Sequence, residues 1–382
     1  MANELIAVVA AIIGIGVLAQ VFSDKFQIPS VIFLIAAGIV LGPQVLGLLQ
    51  PTVFGGALSA IVGLSVAIIV FEGAFHIRLE QLRAAPAETL RLVTIGAGIS
   101  FLLTGLTVHY VLGAGWLISF LIGALLVATG PTVITPILEV VPVRDRVATA
   151  LETEGIVNDV TAAILAIVIF EAIIQGVTEP QTMLRLFAQR LGIGVVAGLL
   201  VAGILWYVLE HVNLAPENAP RNARLLTLAG ALVAFGLAEF IATESGIAAV
   251  ATAGIILGNA NLPYEENITE FKGDVTLIVL SFIFITLASL LDFKNLLQLG
   301  LGGILVVIII VVIIRPLLMF ISTYGNRFTT EEKAFMSFLG PRGIIPASVA
   351  TLFAIELRNL GMGAAADILV GTVFLVIVVT VV

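Results

Sequence analysis

Apolar runs long enough to cross a bilayer recur along this chain, and its polar residues collect in the short stretches between them. A hydrocarbon core about 30 Å thick takes about 20 apolar residues per helix. On that window the pattern predicts helices near 3–21, 30–48, 55–76, 90–112, 115–140, 147–172, 184–209, 223–242, 246–259, 275–291, 297–321, 332–356 and 363–382. That makes roughly thirteen spans with soft boundaries, because connectors such as 141–146 and 242–246 are very short. The clearest polar connectors are EHVNLAPENAPRN (210–222) and NANLPYEENITEFKGD (259–274), and the first reads as a mid-chain seam.

Composition agrees. The chain of 382 residues is 60% hydrophobic and 11% charged, with a mean hydropathy of +1.20. Soluble domains are about half apolar and about a quarter charged, so the reading is an all-α polytopic membrane protein whose outer face meets the lipid bilayer. The absence of Cys removes disulfides, thiolate metal sites and cysteine nucleophiles. A net charge of −8 and a pI near 5.0 argue against nucleic acid as a partner. The first apolar segment has no basic n-region, which marks it as a retained helix.

Orientation follows from Lys and Arg in alternate connectors. Eleven basic residues, among them Lys25, Arg78, Arg144, Arg146 and Lys333, fall on one side, and Arg185, Arg190, Lys294 and Arg358 fall on the other. This bias predicts an outside N-terminus and a cytoplasmic C-terminus in a cell (plasma) membrane. The chain stops inside its last helix, at FLVIVVTVV (374–382), which predicts a cytosolic regulatory domain beyond residue 382, a nucleotide sensor being one form of it.

Two segments share a spelling. GPTVITP (130–136) lies in the fifth helix and GPRGIIP (340–346) in the twelfth, and both read G-P-x-x-I-x-P. Proline inside a helix removes a hydrogen bond and clashes with the carbonyl one turn earlier, while glycine frees the backbone. Gly130, Pro131 and Pro136, and likewise Gly340, Pro341, Gly343 and Pro346, therefore predict two locally unwound segments. Unwound backbone is tolerated at membrane depth only when buried in protein or lining a cavity. The copies lie seven helices apart, an odd number, so they enter the membrane from opposite sides. Such halves are the mark of an inverted-repeat secondary transporter with its site where the broken helices cross.

Helix six supplies the chemistry. Within ALETEGIVNDVTAAILAIVIFE (150–171), Asp159 lies about 20 Å deep at 1.5 Å per residue. An aspartate there costs about 2.5–3.5 kcal/mol and normally marks an ion path or proton relay. A carboxylate binds a small cation or a proton, never both, which is the logic of an exchanger. Glu154 and Asn158, at i and i+4, share a face. Glu154 needs a positive partner, and Arg342 in the twelfth-helix break is the expected one, with Asn158 hydrogen-bonding the pair. Arg315 lies late in helix eleven, close enough to the cytoplasm to snorkel.

Glu154, the Asn158-Asp159 pair, GPRG (340–343), FEG (71–73) and FQIPSVIFLIAAGIVLGP (26–43) resemble sodium/proton antiporters of the NhaP type, in the cation–proton antiporter superfamily. The resemblance covers essentially all thirteen helices. It implies a homodimer of thirteen-helix protomers with an interface domain (1–85 and 176–296) and a mobile core (86–175 and 297–382), in which the fifth and twelfth helices cross. It implies that Asp159 binds the cation or proton, that Thr129 contributes from the fifth-helix break, and that Glu72 lies along the ion path. It also implies alternating access, electroneutral one-for-one exchange from the Asn-Asp pair, and no cofactor. Two positions depart from the family pattern. Gly130 stands where Asp is usual, and Gly155 stands where related members often carry a serine. With both oxygen donors gone, Thr132, Glu72, water or backbone carbonyls fill in, or the ion at Asp159 is K+ rather than Na+ or Li+.

The rival classes are weaker. A zinc protease would need H-E-x-x-H, which is absent, and Asp159 lacks the facing aspartate of an aspartyl protease, so the chain is not read as an enzyme. A cation channel or a sodium-coupled solute symporter using the same acid is the alternative.

Overall fold

The computed structural model describes residues 2–26, 30–50, 54–55, 57–80, 86–130, 134, 138, 141, 143–176, 180–211, 217–243, 245–260, 262–289, 293–325, 327–342 and 344–381. Among these the chain is helical throughout, with no strand. In chain order the helices are α1 (Ala2–Phe26), α2 (Ser30–Leu41), α3 (Ala57–Phe75), α4 (Ala87–Leu112), α5 (Trp116–Leu125), α6 (Asp145–Gln175) and α7 (Pro180–His211). Then come α8 (Ala219–Ile241), α9 (Gly246–Gly258) and α10 (Glu265–Ser289). α11 runs as Phe293–Ile308, kinked at Gly300 (φ 49°, ψ −140°), a π-helical Ile309–Ile314 and Arg315–Ser322, and α12 (Thr330–Phe338), α13 (Ile344–Asn359) and α14 (Gly363–Val381) close the chain.

Each of the thirteen expected spans has a helix. A fourteenth arises because the expected twelfth, 332–356, is split into α12 and α13 around residues 339–342. The expected fifth, 115–140, is likewise interrupted: α5 ends at Leu125 and residues 126–130 leave the helix. Among the described residues, eight helices are long and apolar enough to cross a membrane, and α2, α5 and α9 are shorter apolar helices.

Local signals explain several boundaries. α4 stops where Gly113 takes a left-handed φ of 66° and its N–H returns to the His109 carbonyl, a conformation that favours glycine. α12 starts at a capping box: Thr329 accepts from the Glu332 N–H, and the Glu332 carboxylate accepts from the Thr329 N–H. In α11, Pro316 has no N–H to give and its ring crowds the carbonyl of Val312, and the widened π turn over Ile309–Ile314 relieves that conflict. A second π turn, Leu92–Gly96, lies in α4 and packs on Arg315–Ser322, while Ile309–Ile314 packs on Ala97–Leu112.

The chain divides into two compact units, one of residues 1–63, 85–166 and 280–382 and one of 64–84 and 167–279. In the second, α9 is gripped on two sides through glycines one turn apart. A Cβ at Gly194 or Gly198 of α7 would fall 2.5 Å from Ser245 O or 2.4 Å from Ala249 O, and one at Gly254 would fall 2.7 Å from Phe71 O of α3. Such small-residue stripes let membrane helices approach backbone to backbone, where packing rather than the hydrophobic effect drives association.

Candidate functional site

The first unit holds the site, and it is built where the two broken helices meet. The Gly130 N–H donates to the Pro341 carbonyl at 3.0 Å, so the interrupted backbones of the two G-P motifs satisfy one another. This crossing of the fifth and twelfth helices is the one their repeated spelling predicts. Each break also frees carbonyls at the C-terminal end of its first half-helix, where the helix carries partial negative charge. Beyond α5, Arg342 Nη1 donates to Ala128 O at 3.1 Å and to Val127 O at 3.4 Å. Beyond α12, Arg315 Nη2 donates to Leu339 O at 3.2 Å. One arginine thus serves each break.

That division of labour corrects the expected ion pair. Glu154 pairs with Arg315, not Arg342: Arg315 Nη1 donates to Glu154 Oε1, and Nη2 donates to Oε2 at 2.9 Å. The two-pronged geometry matches a carboxylate to a guanidinium. Arg342 is occupied with the α5 carbonyls, so its fork is not presented to Glu154. Nor does Arg315 snorkel, since only 3% of it is exposed. Glycine at 340 is required by this arrangement, because a Cβ there would fall 2.6 Å from Arg315 Nε. Asn158 Oδ1 accepts from no residue among those described, so it does not brace the pair as expected.

One turn and a residue beyond Glu154, Asp159 is 5% exposed and stands about 21 Å along α6 from Asp145. Its position against the α5 break is fixed by packing. Ala162, three residues on, lies in one apolar cluster with Val127, Ala128 and Ala97, and Phe101 packs against it. Arg342 lies on the carbonyls of Val127 and Ala128, two members of that same cluster. Thr129 follows Ala128 directly and is fully buried. Three buried oxygens, Asp159 Oδ1, Asn158 Oδ1 and Thr129 Oγ1, have no hydrogen-bond partner among the described residues. A buried acceptor without a donor is costly, and a hard cation or a proton is the ligand such oxygens take.

The other expected residues are placed as follows. Pro131, Thr132, Pro136 and Gly343 lie outside the described residues. Pro346 is buried in the first turn of α13. Glu72 is half-buried on α3 in the second unit, where His76 Nδ1 donates to its backbone carbonyl at 2.8 Å. Sequence reasoning passed over Glu171, a third buried acid on α6, which Arg190 and Gln175 both satisfy. Only the apolar run around Glu171 could have drawn attention to it. Thr380, also passed over, accepts the Arg342 backbone N–H at 3.0 Å.

Helices this long and apolar, broken at two symmetry-related points that cross beside a buried acid, define a multi-pass membrane protein of inverted-repeat architecture. The chain belongs to the transmembrane sodium/hydrogen exchanger family, whose family model matches residues 7–382. It is 27% identical over 361 residues to Na+/H+ antiporter 1 of Methanocaldococcus jannaschii, covering 90% of this chain and 82% of that relative. It is 26% identical over 351 residues to K+/H+ antiporter NhaP2 of Shewanella sp. (strain MR-4), covering 91% of this chain. The chain spans 60% of the length of that second relative. The structure of the sodium proton antiporter MjNhaP1 from Methanocaldococcus jannaschii at pH 8 is similar over 98% of this chain and 97% of its own, with a TM-score of 0.85 and 26% identity.

Proposed function

We propose that this protein exchanges a monovalent cation for protons across the membrane by alternating access. One observation carries the reading: Asp159, Asn158 and Thr129 bring unpartnered, buried oxygens to the crossing of two broken helices. Family membership and relatives named as Na+/H+ and K+/H+ antiporters support it. The carboxylate of Asp159 takes the cation, with Asn158 Oδ1, Thr129 Oγ1 and Thr132 as further oxygen donors, and releases it when a proton arrives. Because one carboxylate serves both, cation and proton compete and cross in alternate strokes, one for one. Glu154 and Arg315 neutralise each other and stay out of the exchange.

The cation is Na+ or K+, with Li+ as a smaller competitor. Gly130 and Gly155 contribute no side-chain oxygen near Asp159, which favours the larger ion because it is less demanding of its ligands. In this reading the core helices (86–175 and 297–382) carry the site, and the remaining helices form the interface of a homodimer. The protein sits in the plasma membrane with its N-terminus outside and its C-terminus in the cytoplasm.

The test is proton flux in proteoliposomes with an inward-acidic pH gradient, adding Na+, K+ and Li+ in turn. One cation should dissipate the gradient in wild type and fail in Asp159→Asn. Cation flux that needs no counter-gradient would make the protein a channel, and dissipation unchanged by Asp159→Asn would remove Asp159 from the site.

A further inference from the structure

The Arg342 side chain faces a choice between two kinds of oxygen. Its Nη1 lies on the carbonyls of Val127 and Ala128, which share an apolar cluster with Ala162, three residues from Asp159, and its Nε has no partner among the described residues. A guanidinium prefers a carboxylate to a carbonyl, since the carboxylate adds a full opposite charge and offers two oxygens to the fork. Asp159 Oδ1, buried and unpartnered, is therefore the competing acceptor. If Arg342 took it, a resident cation would occupy the place of the transported one.

The backbone of Arg342 is what holds the side chain off. Residues 339–342 leave the helix, so the Arg342 N–H has no intrahelical partner. It donates at 3.0 Å to Thr380 Oγ1, near the end of α14. The Thr380 hydroxyl proton goes in turn to the Val376 carbonyl at 2.7 Å, which fixes the rotamer and leaves the oxygen lone pairs facing Arg342. α14 is thereby tied to the backbone of the α12–α13 break at the residue whose side chain caps α5.

We propose that Thr380 is a positioning residue for cation binding: by anchoring the Arg342 backbone it keeps the Arg342 guanidinium on the α5 carbonyls and away from Asp159. This rests on the exchange reading above, and it deepens that reading by assigning a self-inhibitory contact that the fold prevents. Loss of the anchor lets Arg342 compete with the cation. Competition raises the cation concentration needed for half-maximal flux and leaves the saturated rate in place.

The experiment measures cation-dependent proton flux by the full chain in proteoliposomes for wild type, Thr380→Val and Thr380→Ser, over a range of Na+ or K+ alone at one pH. Valine keeps the shape and removes the hydroxyl, and serine restores it. The expected result is an apparent KM about fivefold higher in Thr380→Val, the worth of one hydrogen bond. Its maximal rate should lie within about twofold of wild type, and Thr380→Ser should bring the KM back. An unchanged KM, or a fall in maximal rate that Thr380→Ser shares, would overturn the proposal. Thr380→Ala replaces Thr380→Val if the latter fails to fold, judged by thermal unfolding in detergent. Wild type without cation-dependent flux would overturn the exchange reading itself, a result distinct from wild-type exchange that Thr380→Val leaves untouched.

Discussion

Glu154 and Asp159 stand five residues apart on one helix, and both are buried, yet they are provided for in opposite ways. Glu154 has both oxygens engaged by the Arg315 fork, which is itself tied to the Leu339 carbonyl. Asp159 has one oxygen with no donor among the described residues, and the nearby Arg342 is turned to backbone carbonyls instead. A carboxylate whose partner is permanent contributes to the fold and can exchange nothing. A carboxylate whose partner must come from outside is useful for transport and weak as a structural element. Burial alone does not separate the two roles, whereas the supply of donors does.

That contrast can be tested from both ends. The largest effect expected is Asp159→Asn, which stops cation-dependent proton flux while leaving the thermal midpoint in detergent close to wild type. A large loss of stability there would erase the distinction. Glu154→Gln should do the reverse, leaving Arg315 buried with no carboxylate and costing about 3–5 kcal/mol of stability, as breaking a buried pair does. Chemical or thermal unfolding reads this directly, and Glu154→Gln with wild-type stability would mean that the pair is dispensable. Gly340→Ala should come next. Its Cβ would fall 2.6 Å from Arg315 Nε, so the guanidinium must shift off Glu154, at about 1–3 kcal/mol.

The smallest effect concerns an ion pair outside the apolar spans. The Glu332 carboxylate accepts from Arg146 Nη2 at 2.7 Å and from the Thr329 N–H at 2.8 Å, with Arg144 at 3.3 Å. Burial pulls this carboxyl upward, but the Arg146 hydrogen bonds, the Thr329 N–H and the two guanidinium charges more than offset it, so it lies below the usual glutamate range. A folded value below the unfolded one contributes stability above the unfolded value, and that stability disappears as pH falls through the folded one. Glu332→Gln should therefore cost about 1 kcal/mol or less near neutrality and nothing in acid below the carboxyl's own titration. A pH series of melting curves for the two proteins checks the convergence.

Much of this was legible in the sequence because membrane helices are written in length and breaks in proline and glycine. The repeated G-P-x-x-I-x-P gave the crossing that Gly130 and Pro341 make, and Asp159 declared itself by its depth in an apolar run. The partner of Glu154 was not legible. Sequence position gives depth along a helix but not the direction a side chain takes round it, and Arg315 seemed free to reach the membrane surface only because its azimuth was unknown. The π turn that precedes it, IIVVII, is uniformly apolar and so carries no periodic signal to reveal a change of pitch. The α4 turn over LVTIG was equally silent. Thr380 was hidden for another reason: a hydroxyl that reads as lipid-compatible can still be spent on a broken backbone far away in the chain.

The π turns have a practical consequence for anyone mapping these helices residue by residue. A wheel drawn through α11 at a constant 3.6 residues per turn slips by one residue, about 100°, on crossing Ile309–Ile314. It therefore displays Arg315 on the wrong side of the cylinder. A cysteine-accessibility scan along α11 beyond the Gly300 kink should accordingly show a stripe that breaks and resumes one position late, and a scan along α4 should show the same discontinuity at Leu92–Gly96. Labelling data fitted with one uninterrupted period would assign the lipid and protein faces of both helices incorrectly on the far side of the turn.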